Sequence, residues 1–96
     1  MKKYQMIIMF VPSATEEIID KTLAKIQEKI PMSNIEKKGL QKMAYEEVQQ
    51  KTRIKYKVGY YVSGKVAAEE DTLRRLGMNL SQDENIIKHT LVRTER

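Results

Sequence analysis

The sequence has no cysteine and a single histidine. The first absence excludes disulfides, thiol catalysis and thiolate metal sites. The second excludes zinc sites that need two or more imidazoles. Long apolar stretches are missing too: the longest run, Met6 to Val11, is far too short to cross a bilayer. Lys2-Lys3 is not followed by the apolar stretch and small-residue cleavage site of a signal peptide, so the expected compartment is the cytoplasm or an organelle interior. The four glycines, Gly39, Gly59, Gly64 and Gly77, are too scattered for a phosphate loop or a dinucleotide fingerprint. No internal repeat or low-complexity tract is evident, and no cofactor is expected.

What remains is a chain of 96 residues, 41% hydrophobic and 32% charged. That is enough apolar material for a packed domain and too much for a disordered chain. The length predicts one domain over residues 1–96.

The charge is uneven. The formal net charge is +5, and residues 34–65 hold the whole excess, with eight basic side chains against Glu36, Glu46 and Glu47. The eight are Lys37, Lys38, Lys42, Lys51, Arg53, Lys55, Lys57 and Lys65. Such a local field attracts polyanions, of which nucleic acid is the commonest in a cell; the plainer reading is a solvated surface that keeps the protein soluble.

Hydrophobic periodicity gives six elements. Tyr4, Met6, Ile8 and Phe10 fall on one face of a strand and Ile7, Met9 and Val11 on the other, a pattern that belongs inside a sheet. Pro12 ends it. Ser13-Ala14-Thr15-Glu16 matches a capping box with Ser13 as the cap, and Ile19, Leu23, Ile26 and Ile30 then form one helical stripe before Pro31. Ser33 to about Glu47 reads as a long strand with a bulge or bend at Gly39. Arg53 to Ser63 alternates, with Ile54, Tyr56, Val58, Tyr60 and Val62 on one face and basic or aromatic residues on the other. Ser63-Gly64 reads as a turn, Ala67 to Leu80 as a second helix and Asn85 to Thr94 as the last strand. The order β-α-β-β-α-β is that of the α+β, ferredoxin-like arrangement: a four-stranded antiparallel sheet with two helices on one face.

Little in this pattern supports catalysis. Glu16/Glu17 and Glu69/Glu70/Asp71 sit in first helical turns, where compensation of the helix dipole explains them. Glu46-Glu47 has no evident acid–base partner, and His89 is in phase with Ile87 and Leu91, as a partly buried strand residue would be. Lys55 to Val62 faintly echoes the octapeptide of RNA-recognition domains, but with Tyr60 toward the helices only Tyr61 is left to stack a base. An enzyme is therefore not expected.

Three blocks together resemble the family of ribosomal protein six of the bacterial small (30S) subunit. Lys2-Lys3-Tyr4, an apolar strand and Pro12 resemble its opening. Gly39 to Tyr45 resembles its glycine, basic, leucine-alanine-tyrosine block, and Asp83 to Arg93 resembles its final strand. The resemblance spans residues 2–94. It implies a structural protein of the ribosome, in the cytoplasm or in an organelle, that binds small-subunit ribosomal RNA together with ribosomal protein eighteen. Lys2, Lys3, Lys42, Lys88 and Arg93 match positions where the family usually has basic residues, and on that basis are the candidate RNA- or partner-binding residues. Glu46 and Glu47 depart from the family's proline and apolar residue, and two carboxylates there would repel phosphate. Ser81 and Asp83 also occupy a stretch that is sometimes basic. The competing expectation is a ferredoxin-like homo-oligomer that binds a small ligand or serves as a regulatory module; Lys55 and Lys57 on an open sheet face argue against it.

Overall fold

The computed structural model describes residues 2–94. Its elements are β1 (Lys2–Phe10), α1 (Glu16–Lys29), β2 (Met32–Val48), β3 (Lys55–Ala68), α2 (Glu70–Ser81) and β4 (Ile86–Arg93). The sheet is antiparallel with strand order β2-β3-β1-β4, which is the ferredoxin-like topology. The apolar stripes explain the layers. Ile19, Leu23 and Ile26 of α1 and Leu73, Leu76 and Leu80 of α2 are buried against Met6, Ile8, Phe10, Val62, Val66 and Ile86 of the sheet. Tyr4, Tyr60 and Leu91 are half-buried at the margin of this core.

Three local expectations are corrected. The α1 cap is Thr15, whose hydroxyl accepts from the Ile18 N–H, and not Ser13. Thr15 has the extended backbone (φ −80°, ψ 163°) that a capping residue needs. Ser63-Gly64 is not a turn: β3 runs straight on to Ala68, because Met6 and Ile7 of β1 pair with Gly64 and Ser63 in an unbroken ladder. The sequence reads a turn there because Ser-Gly is turn chemistry; burial against two neighbouring strands overrides it. The second helix accordingly starts at Glu70 rather than Ala67.

The bulge expected at Gly39 is present, with Gly39 in the left-handed region (φ 82°) where a side chain would be strained. It is one of three register shifts between β2 and β3; the others lie between Ser33 and Glu36 and between Lys42 and Glu47. A further bulge in β4 changes which side chains face where. Met9 pairs with Lys88 and Phe10 with Ile86, so Ile87 is the extra residue. Ile87 therefore joins Met9 and Val11 in a second buried cluster on the face away from the helices, covered by Met43, Tyr56 and Tyr61 of the β2–β3 hairpin. Tyr56 thus leaves the face that strict alternation assigns it. Gly59 is required here by close approach, since a Cβ at that position would lie 2.7 Å from Met9 Cγ.

The hairpin end is fastened to the opposite edge of the sheet. Gln49, fully buried, donates through Nε2 to the carbonyls of Asp83 (2.8 Å) and Ile86 (3.0 Å). Its Oε1 accepts from the N–H groups of Lys51 (2.7 Å) and Thr52 (2.6 Å). All four hydrogen-bonding positions of one amide side chain are used to hold the loop Gln49–Ile54 against the start of β4.

Candidate nucleic-acid interface

Strand pleating sorts the five basic residues matched to the family onto different surfaces. Lys2 shares the helix-bearing side of β1 with Tyr4 and reaches Glu70 of α2, with which it forms an ion pair. The Lys2 ammonium holds the Glu70 carboxyl below the usual range, and Arg93 and Arg74 add to that field. Arg93 pairs with Tyr4 across the β1–β4 ladder, so it stands at the same end of the sheet as Lys2. Lys3 alternates to the other face of β1, and its exposed side chain makes no ion pair among the described residues. Gln5, two residues on, pairs with Lys65, so Lys3 and Lys65 flank each other diagonally on the face away from the helices. Lys88, opposite Met9, lies toward the other end of that face and bonds Glu47 Oε1 at 2.9 Å. Lys42 is exposed on the hairpin, opposite Val58. The structure brings Lys2 and Arg93 together around Glu70; it does not bring the five into one patch.

The excess charge instead gathers on the β2–β3 hairpin. Lys38, Lys42, Lys51, Arg53 and Lys55 are all exposed there, and none forms an ion pair among the described residues. Arg53 takes a positive φ (62°) in the loop that Gln49 organises. Lys37 differs: it bonds Asp20 of α1 at 2.7 Å, and this raises its pKa above the ordinary lysine value. Glu46 and Glu47, which have no evident acid–base partner in the sequence, each meet a lysine in the structure: Lys57 lies 3.6 Å from Glu46, and Lys88 holds Glu47. The two carboxylates that would repel phosphate are therefore partly offset by neighbours, and the Lys88 contact is one no local pattern reveals because Lys88 is distant in sequence.

Aromatic positions are also redistributed. Tyr61 is half-buried over Met9, Val11 and Ile87, so its ring is partly spent on packing. Tyr45, with 83% of its surface exposed, is the freest large apolar side chain of the hairpin. His89 sits half-buried with Leu73, Gly77 and Leu91 between α2 and β4, and that burial lowers its pKa. No cluster of three or more metal-ligating side chains occurs among the described residues.

The topology defines a ferredoxin-like α+β protein, here with a basic β2–β3 hairpin. A family model described as ribosomal protein S6 matches residues 3–93. The chain belongs to the ribosomal protein S6 family and is a small-subunit ribosomal protein; that family is structural rather than enzymatic. A similar solved structure is the 30S ribosomal protein S6 of Thermotoga maritima, at 19% identity and a TM-score of 0.73, covering 96% of this chain and 86% of that one. No curated protein sequence matches. No helix among the described residues is long and apolar enough to cross a membrane.

Proposed function

We infer that the chain binds small-subunit ribosomal RNA together with ribosomal protein eighteen, as a structural and non-catalytic component at the ribosome. The observation that carries this reading is the set of five exposed cations without ion pairs on one fastened hairpin. Each lysine or arginine that meets a phosphate releases condensed counterions, so affinity is electrostatic in origin and falls with salt. Contacts of this type fix register and orientation and carry little base information. Shape of the RNA and the second protein supply the rest of the specificity. Lys3 and Lys65 form a smaller basic pair on the sheet face, and Lys2 with Arg93 a third group at the sheet end. These are candidate contacts for RNA or for the protein partner.

The test is binding of small-subunit ribosomal RNA, with and without ribosomal protein eighteen, across salt concentration. Five phosphate contacts give a log–log slope of about −4 to −5, or a loss of roughly 10²–10³ in affinity between about 50 and 200 mM salt. Replacing Lys42 or Lys55 with Gln reduces the slope by about one. An affinity indifferent to salt, or a chain absent from purified small subunits, refutes the reading. Gel filtration separates it from the homo-oligomer: an RNA binder runs as a monomer when stripped of nucleic acid.

A further inference from the structure

We propose that Tyr45 is a stacking platform for one unpaired base of the RNA, an inference that rests on the RNA-binding reading above. It begins from the third register shift of the hairpin. Between the pairs Lys42–Val58 and Glu47–Tyr56, β2 carries Met43, Ala44, Tyr45 and Glu46, while β3 carries Lys57 alone. A bulge of this size breaks alternation. Met43 packs inward on Met9, Val11 and Ile87, yet Tyr45, two residues later, is turned out to solvent.

The surroundings fit a nucleotide better than an apolar partner. Lys42 lies before the bulge and Lys55 pairs with Val48 just beyond it, so the tyrosine stands along the hairpin between two cations without ion pairs. Glu46, next to it in sequence, and Glu47 are each engaged by a lysine, which offsets part of the repulsion a phosphate would otherwise meet. The other exposed apolar side chains here, Leu40, Val48 and Ile54, have the cations Lys42, Arg53 and Lys55 near them in sequence or register. A ring flanked by cations on a polyanion-binding arm offers stacking to the base and charge to the phosphates on either side. Gln49 and the Glu47–Lys88 pair tie the strand just after Tyr45 to β4, so the backbone that carries the ring is anchored on that side.

The experiment compares Tyr45→Ala and Tyr45→Phe with the parent chain. Each is bound to small-subunit ribosomal RNA in the presence of ribosomal protein eighteen, at two salt concentrations, with chemical probing of unpaired bases. Tyr45→Phe keeps the ring and binds like the parent. Tyr45→Ala loses about 5- to 150-fold in affinity with an unchanged salt slope, and one base protected by the parent becomes reactive. Lys42→Gln gives the opposite signature, a reduced slope with that base still protected. Equal affinity and an identical protection pattern for Tyr45→Ala overturn the proposal. So does a loss confined to binding of ribosomal protein eighteen without RNA, since the ring would then seat a protein. If the parent itself binds no RNA, the broader reading falls as well, and the two failures are distinguishable.

Discussion

The two faces of the sheet are built by different means. Toward the helices, one continuous core forms from residues spaced at strand and helix periods, and each element contributes its own stripe. Away from the helices, three buried residues, Met9, Val11 and Ile87, are covered by the sheet's own hairpin, which must bulge and be tied down to reach them. The first face is held by area and the second by a few specific bonds. Phe10 and Met9, adjacent in β1 and on opposite faces, put the contrast in one dipeptide. Phe10→Ala should cost about 3–5 kcal/mol in urea unfolding, and Met9→Ala a value toward the lower end of about 2–5 kcal/mol. Equal costs would mean that the hairpin-covered face is as tightly packed as the core.

The next largest effect separates fastening from packing. Gln49→Leu keeps side-chain volume but leaves the Asp83 and Ile86 carbonyls and the Lys51 and Thr52 N–H groups without their partner. We expect a loss of about 1–3 kcal/mol, with faster hydrogen exchange at Lys51 and Thr52 and little change in α1. Uniformly accelerated exchange would show that the hairpin is not a separable unit.

A pH effect comes from the helix side. Burial lowers the His89 pKa in the folded protein, so the unfolded chain takes up its proton first as pH falls. Stability is therefore full above the unfolded value near 6.5, declines as pH drops through it, and levels off below the folded pKa. Urea unfolding at about pH 7.5 and about pH 5.5 should show this loss in the parent and a smaller one in His89→Gln. The smallest effect belongs to the surface tie: Glu47→Gln or Lys88→Gln should shift stability by only about 0.2–1 kcal/mol. A larger cost would make that ion pair, rather than Gln49, the main fastening of the hairpin.

The contrast also explains what could be read from residues alone. Ile19, Leu23, Ile26 and Ile30 announce α1, and Tyr4 to Phe10 announces β1, because each pattern is local and periodic. The order of six elements then gives the ferredoxin-like fold. The candidate site was legible only as a basic middle third. Lys65 beside Lys3, Lys88 on Glu47 and the release of Tyr45 all depend on register, and register here is set by bulges that have no pattern of period two. Gly39 was the one bulge with a sequence signal. The matched residues Lys2, Lys3, Lys42, Lys88 and Arg93 share basic character, but pleating sends neighbours such as Lys2 and Lys3 to opposite sides.

β2 is an edge strand of 17 residues, long enough to template the strand of another molecule and seed aggregation. Its three register shifts, the left-handed residues Asn34 and Gly39, and exposed Lys37, Lys38 and Lys42 interrupt the row of backbone groups such a template needs. The irregularities that aim side chains outward also make this edge a poor seed for the strand of a second copy.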